Sequence, residues 1–491
     1  MSFQVLGFAL FFPICALVYF LLPDFKDNFL KNIWLLAASY FFYMFNNPLY
    51  AIFLLYITVL SYFLGLLLTK KDKLKNNTLF TVIIVFLILI PLLIFKYSNF
   101  AIRNVNIFAG KIGFPTFSEL NLALPVGISF FTFAALGFVL DIKRGKLQAM
   151  PNFLHHMLFI SFFPTIMAGP IERSGHLVPQ FKEKHRFDAE RVKNGFLLML
   201  WGYFLKLVLS DRIAIFVNKV FTDGSYSGVY SILAILFYSL QIYFDFASYS
   251  YMALGVGEIL GFSLISNFER PYLADSIANF WRRWHISLTS FFRDYLYIPL
   301  GGNRKGRLRK YINILIVFAV SGLWHGASWN FVFWGLLNGL FQVIGELSSS
   351  VRNKIGVILG FNKKTFSYRF LRTSLTFILA SIAWTFFRAE SFISAIKMLK
   401  NCIYFNPWVI FDGSMLKLGL KAFDICIILL SILLVLCVSL MNEKGITIRQ
   451  KINKQDLWFR WLFYITSIMT VLLLGMYGPS YNSSDFIYFN F

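Results

Sequence analysis

The stretch Leu79-Phe-Thr-Val-Ile-Ile-Val-Phe-Leu-Ile-Leu-Ile-Pro-Leu-Leu-Ile-Phe95 decides the fold class. It carries no charge, and as a helix it covers most of the roughly 30 Å hydrocarbon core of a bilayer. Backbone N–H and C=O groups find no water in lipid, so such a run satisfies them internally as a helix. Working outward, comparable runs recur at Phe3 to Leu22, Ile425 to Met441 and Leu462 to Tyr477. The whole chain agrees: 491 residues, 58% hydrophobic and only 14% charged, with a mean hydropathy of +0.66, too apolar for a soluble globular protein. The expected class is an all-α polytopic membrane protein. The run from Phe3 has no basic residue before it and no small-residue cleavage site after it, so it reads as a retained first span.

Candidate spans lie at 3–22, 31–46, 49–69, 79–95, 124–140, 194–210, 227–247, 311–323, 329–347, 369–387, 423–441 and 458–477, which sets an expectation of about ten to twelve transmembrane helices. No linker or charge block divides the chain, so residues 1–491 read as a single integral membrane domain, with a catalytic core over roughly 120–345. Leu154 to Ala168 is apolar but short, is broken by Pro164, and has basic residues on both flanks. Such a segment reads as a re-entrant hairpin, tolerated only where protein or a water-filled cavity surrounds it. Ser276 to Tyr297 is amphipathic and too polar to span, and reads as an interfacial or cavity-lining helix.

The formal net charge is +23, and its placement is informative. Basic clusters occur at Lys70, Lys71, Lys73 and Lys75; at Lys182, Lys184 and Arg186; from Arg304 to Lys310; and at Lys444, Arg449, Lys451 and Lys454. Cations near helix ends mark the cytoplasmic side and anchor to anionic lipid. No soluble basic face of the kind that binds nucleic acid is evident. Cys15, Cys402, Cys426 and Cys437 lie in or beside apolar runs without ligand spacing, so neither a disulfide nor a metal site is expected.

Against this apolar background two histidines stand beside tryptophans, in Phe280-Trp-Arg-Arg-Trp-His-Ile-Ser-Leu-Thr-Ser290 and in Gly322-Leu-Trp-His-Gly-Ala-Ser-Trp329. An imidazole at membrane depth is costly and tends to be kept where it lines a polar cavity or does chemistry. On one helix through Phe280 to Asp294, Trp281, Trp284, His285 and Leu288 would share a face, flanked by Arg282 and Arg283; an interfacial Trp/Arg anchor is the plain alternative. His325 follows an apolar run, and its small neighbours Gly322, Gly326 and Ala327 permit close approach of backbone or ligand.

Two imidazoles at a cavity suit proton abstraction from an alcohol, because their pKa lies near operating pH. Acyl transfer is the reaction this suggests. If coenzyme A were the donor, Arg282, Arg283 and the Arg304 to Lys310 cluster could meet its phosphates, although lipid phosphate would serve such arginines as well. Asp245, surrounded by aromatics in an apolar helix, is expected to pair with a histidine or an arginine. Asp294 could orient an imidazole or form a structural ion pair with Arg293 or another arginine. Gly301 and Gly302 read as a turn before Asn303. No nucleotide-binding or serine-nucleophile signature is present in this region.

With those residues in place, the chain resembles the membrane-bound O-acyltransferase family, and within it the alginate O-acetylation branch. The resemblance rests on Ala37-Ala-Ser-Tyr-Phe-Phe-Tyr43, Phe95-Lys-Tyr-Ser-Asn-Phe100, Val126-Gly-Ile-Ser-Phe-Phe-Thr-Phe133, Phe163-Pro-Thr-Ile-Met-Ala-Gly-Pro-Ile-Glu-Arg173, Asn267-Phe-Glu-Arg-Pro-Tyr272, the Trp281 to Asn303 block, Gly322 to Trp329 and Phe486-Ile-Tyr-Phe-Asn-Phe491. The Arg293 to Arg304 block is nearer to this branch than to the D-alanyl-lipoteichoic acid branch. The resemblance implies a catalytic His325 and a second active-site histidine, His285, lining a central tunnel. It implies transfer of an acyl group, usually acetyl, from a cytoplasmic thioester such as acetyl-CoA toward an extracytoplasmic polysaccharide, often completed by a separate extracytoplasmic acetyltransferase. No permanently bound cofactor is implied, and a bacterial cytoplasmic membrane is the expected location. Trp281, Arg282, Trp284, Trp324, Asp245, Asp294 and Asn303 are the candidate substrate or tunnel residues. One departure is Tyr251, which stands where the family pattern suggests an acid, leaving Asp245 as the nearer carboxylate. The rival readings are a transporter or flippase using the histidines as a proton relay, and an inactive scaffold. The acceptor stays open among alginate, other exopolysaccharides, teichoic acid, peptidoglycan and a small molecule.

Overall fold

The computed structural model describes residues 1–45, 47–70, 72–75, 77–147, 150–477, 486 and 487. Asn46 at the end of one candidate span, Lys71 of the first basic cluster and residues 488–491 of the terminal motif lie outside them. Each of the twelve candidate spans holds a helix, and among the described residues the only extended pairing is one isolated antiparallel bridge, Phe268 to Trp284. Among the described residues six helices are long and apolar enough to cross a membrane: Pro48–Lys70, Thr78–Lys111, Val229–Leu260, Phe366–Arg388, Ala422–Glu443 and Leu457–Leu474. A seventh is added if the bent pair Trp329–Leu347 and Ser349–Ile358 forms one span. The remaining helices are of another kind. Leu6–Leu21, Phe29–Met44 and Ile128–Lys143 have 16 residues each, short of the usual spanning length of about 20, and Arg307–His325 opens with three cations. A helix lined by protein is spared the demand for uninterrupted apolarity that lipid imposes.

The chain forms two compact units. The first comprises Met1–Met199, Met252–Ile265 and the described part of Ser483–Phe491; the second comprises Leu200–Tyr251 and the described part of Ser266–Asn482. Both draw on residues 120–345.

In the first unit, the segment read as a re-entrant hairpin begins with the helix Phe153–Ser161, capped by the Asn152 side chain on the His155 amide, and then turns back over residues 162–169, buried throughout. The protein surround that irregular backbone needs is present. Some of its buried polar groups find partners: Ser61 Oγ lies 2.9 Å from His156 Nε2, Asn32 Nδ2 lies 3.1 Å from His155 Nε2, and the Ser39 hydroxyl accepts from the Phe163 amide at 3.1 Å. Beyond the turn, Glu172 accepts from the Ile265 amide at 2.6 Å and sits 2.8 Å from His176 Nδ1. Gln180 exchanges two hydrogen bonds with the backbone of Ser263. Glu172 raises the pKa of half-exposed His176 above its ordinary 6.5, so this contact stabilises the fold fully below that value and its contribution is lost as pH rises through the raised one. The unfolding-temperature difference between wild type and His176→Gln should therefore be largest in mildly acidic buffer and shrink toward alkaline pH; a difference that grows with pH contradicts the assignment.

In the second unit, Arg307–His325 and Trp329–Leu347 form a helical hairpin. Its backbones touch at glycines: a Cβ at Gly322 would overlap the Phe331 carbonyl, and one at Gly335 the Phe318 carbonyl. This is the close approach that small residues allow between helices without a hydrophobic driving force. Asn330 ties the hairpin to the end of Phe366–Arg388 by donating to the carbonyls of Phe386 at 2.6 Å and Ala389 at 2.8 Å. Gly322→Ala should lower detergent-measured stability by about 1–3 kcal/mol through overpacking; an unchanged thermal midpoint would show that the hairpin can open at no cost.

Candidate active site

His285 does not sit on a continuous helix. The helix Ile277–Arg283 stops, Trp284 is extended (φ −104°, ψ 129°), His285 is left-handed (φ 44°, ψ 54°), and a new helix runs Ile286–Phe292. The expectation that Trp281, Trp284, His285 and Leu288 share one helical face is thereby corrected. The cause is a second segment pairing with the break. The Glu269 amide donates to the Arg283 carbonyl at 2.9 Å and the Ile286 amide to the Asn267 carbonyl at 3.0 Å. Buried Asn267 completes the pairing, accepting from Ser287 Oγ at 2.6 Å and donating to Ser250 Oγ at 3.1 Å. Partners outside the helix thus satisfy backbone groups that the break would otherwise strand. A non-glycine residue at positive φ is strained and persists only where its surroundings over-determine it.

His325 reaches the same place by another route, as the last residue of Arg307–His325, where the chain turns extended at Gly326. The two imidazoles are buried, with ring centroids 6.4 Å apart. Aromatic rings surround them. Phe246 lies 4.6 Å from His285, Trp324 lies 4.8 Å from His325 and 6.0 Å from His285, and Trp334 and Phe387 lie 5.1 and 5.4 Å from His325. Burial pushes the His285 pKa down to about 3, so its resting form is the neutral imidazole and a proton on it is disfavoured, unlike the expectation of a pKa near operating pH.

A cavity of about 860 Å³ opens beside this cluster, lined by Arg282, Arg293, Lys310, Arg352 and Arg372 over apolar walls that include Leu288, Phe292 and Phe318. Neither histidine lines it. Trp281 does, and the Trp281 ring lies 5.7 Å from Trp334, which contacts His325. The Trp281 indole N–H donates to Asn338 Oδ1 at 3.3 Å. Trp281 therefore stands between the cationic cavity and the histidines. Among the described residues no group of three or more His, Cys, Asp or Glu is arranged to hold a metal ion.

Two imidazoles are thus buried in an aromatic cage beside an amphipathic cavity, and the family of the chain follows from comparison with known proteins. The sequence profile of the membrane-bound O-acyltransferase family matches residues 39–358. The chain is 34% identical to a probable alginate O-acetylase AlgI of Pseudomonas syringae pv. tomato, over 81% of this chain and 74% of that one. It belongs to the membrane-bound O-acyltransferase family. It is also 34% identical to a peptidoglycan O-acetyltransferase of Helicobacter pylori, over 81% of this chain and 78% of the relative. A teichoic acid D-alanyltransferase of Bacillus subtilis is 29% identical over 45% of this chain and 59% of its own. The chain is thus a multi-pass membrane acyltransferase, which answers the transporter alternative.

The other candidates in this acyltransferase are not all gathered at the histidines. Trp284 is fully buried and packs on Trp384 at 4.9 Å, and Trp324 bridges the two imidazoles. Asn303 lies exposed on the turn after Gly302. Asp294 pairs with its neighbour Arg293 at 3.0 Å, the structural alternative raised for it. Arg283 is engaged by Asn279 and Glu443, so of that arginine pair it is Arg282 that lines the cavity.

Asp245 forms an ion pair with Lys206, at 2.7 Å, a lysine where a histidine or arginine was expected, and Lys206 also meets Asp211 at 2.8 Å. Lys206 and Asp245 are 2% and 1% exposed. Sequence reasoning passed over Lys206, whose signal was a lone cation inside an apolar span. The π-helix Phe204–Ser210 carries it, a backbone form often found at functional sites. Removing one partner of a buried pair costs about 3–5 kcal/mol because it strands the other charge. Lys206→Met should sharply reduce the folded fraction on detergent extraction, and adding Asp245→Asn should recover part of it. Wild-type stability in the single variant would contradict this account.

Proposed function

We propose that this protein transfers acetyl from a cytoplasmic acyl thioester, acetyl-CoA, toward hydroxyls of an extracytoplasmic polysaccharide, directly or through a partner acetyltransferase outside the membrane, in a bacterial cytoplasmic membrane. The observation carrying this reading is the pair of buried imidazoles 6.4 Å apart, a spacing that lets one hydroxyl oxygen sit within reach of both rings. His325 acts as general base: it takes the hydroxyl proton as the oxygen attacks the thioester carbonyl, the C–S bond breaks, and the proton passes to the leaving thiolate, giving ester and free thiol. His285, held neutral by burial, orients the hydroxyl by a hydrogen bond.

The cavity supports the donor's place. Its volume of about 860 Å³ falls in the range of small-molecule sites. Lys310 is ion-paired with Glu346, which also lines the cavity, and Arg293 with Asp294; Arg282, Arg352 and Arg372 suit phosphate, while the apolar walls suit an uncharged arm. The acceptor class follows the relatives' names, which give alginate, peptidoglycan and teichoic acid; two of those three are named for O-acetyl transfer, so acetyl is the acyl group proposed.

The test is consumption of labelled acetyl-CoA by the purified protein in liposomes with cell-envelope acceptor and partner proteins supplied. His325→Ala should lower turnover by about 10²–10⁴-fold with insertion and folding intact, and His285→Ala should lower it strongly. Full activity of His325→Ala would overturn the assignment of the base. No thioester consumption by wild type under these conditions would overturn the proposed donor.

A further inference from the structure

The segment that carries His285 is closed by a residue far along the chain. Glu443, the last residue of the helix Ala422–Glu443, accepts from Arg270 Nε at 2.6 Å and from Arg283 Nη1 and Nη2 at 3.0 and 2.9 Å. Those arginines lie on the two paired segments: Arg270 follows Phe268 and Glu269 on one, and Arg283 precedes Trp284 and His285 on the other. One carboxylate therefore bridges both sides of the pairing. Both segments hold a non-glycine residue at positive φ, Arg270 at 50° and His285 at 44°, so each stores strain that outside contacts must offset. A carboxylate at a helix C-terminus is disfavoured by the helix dipole; its presence there is accounted for by the two guanidinium groups, one held bidentately. Glu443 also lies beyond residues 39–358, the stretch matched to the family.

We infer that Glu443 is a positioning residue for the reaction: it staples the 267–270 segment to the 283–286 segment and so holds the left-handed turn that presents His285. This rests on the reading above, in which His285 takes part in acyl transfer. Glu443 does not touch the histidine and acts through Arg270 and Arg283. The staple is 36% exposed at the carboxylate, so its attraction alone would be modest. Its effect comes from where it acts, since small displacements of a reacting group carry large rate penalties.

The experiment uses the full chain in lipid nanodiscs, comparing wild type, Glu443→Gln, Glu443→Asp, Arg283→Gln and the Arg283→Gln/Glu443→Gln double variant. Two readouts are taken on each: amide hydrogen exchange of the segment 266–287, and turnover of labelled acetyl-CoA per folded molecule. In Glu443→Gln, exchange at the Glu269 and Ile286 amides should quicken by about fivefold while the helical hairpin Arg307–Leu347 is unchanged. In the same variant kcat should fall by about tenfold with KM for acetyl-CoA retained. Glu443→Asp should restore part of both, and the double variant should be no worse than the poorer single one. Unchanged exchange in Glu443→Gln overturns the staple, and quickened exchange with wild-type kcat overturns the positioning role. A wild type without histidine-dependent turnover means that the acyl-transfer reading has failed; exchange then still decides whether Glu443 holds the turn.

Discussion

A helix that breaks inside an apolar protein must find new partners for the backbone groups it frees, and the site depends on how this chain meets that demand. The break at Trp284–His285 is tolerated because residues 267–269 lie alongside and take up the Arg283 carbonyl and the Ile286 amide. Asn267 then spends its side chain on Ser250 and Ser287, tying the break to the helix Val229–Leu260. That helix brings Phe246 against the imidazole. The orientation of His285 thus follows from backbone satisfaction, and the aromatic shell packs around a ring already aimed.

Charge is handled by the same logic of enclosure. Lys206 meets Asp245 and Asp211, and Arg212 meets Asp424 at 3.0 Å together with the carbonyls of Val208 and Leu474. These contacts join the π-helix Phe204–Ser210 and the helix that follows it to Val229–Leu260, Ala422–Glu443 and Leu457–Leu474. Breaking such a pair costs more than the pair contributes over an apolar alternative. Buried ions therefore specify an arrangement, and the arrangement here includes the residue next to Phe246.

The fold was largely legible because its signal is local. An apolar run reports a helix without reference to anything distant, so all twelve segments hold one, and the interruption by Pro164 announced irregular backbone at 162–169. What local reading missed is nonlocal. The helical face drawn through Trp281 to Leu288 assumed an unbroken 3.6-residue repeat, whereas the break is imposed by residues 267–269, whose sequence carries no periodic sign of the pairing. Lys206 was overlooked because a cation in an apolar run looks the same whether it snorkels to an interface or meets a buried carboxylate 39 positions away. Glu443 lies 160 positions from Arg283. The close packing of the helix that carries His325 was easier to read, because Gly322, one of the glycines at which it touches the next helix, stands three residues before the histidine.

The separation of cations from histidines bears on how a thioester would be used. The cavity holds the arginines and the aromatic cluster holds the imidazoles, with Trp281 between them. On the proposed reading, the donor's charged end and its reactive carbonyl occupy these different environments, one able to meet phosphate and the other buried among aromatic rings. A buried, aromatic surround favours the hydroxyl and thioester over bulk water as reactants. Exclusion of water matters for this chemistry, because water is the competing acceptor and its attack would hydrolyse the thioester. The cage of Phe246, Trp324, Trp334 and Phe387 gives that exclusion a physical form: on the proposed reading, an acceptor is selected first by whether its hydroxyl can reach an in-plane ring nitrogen through this apolar surround.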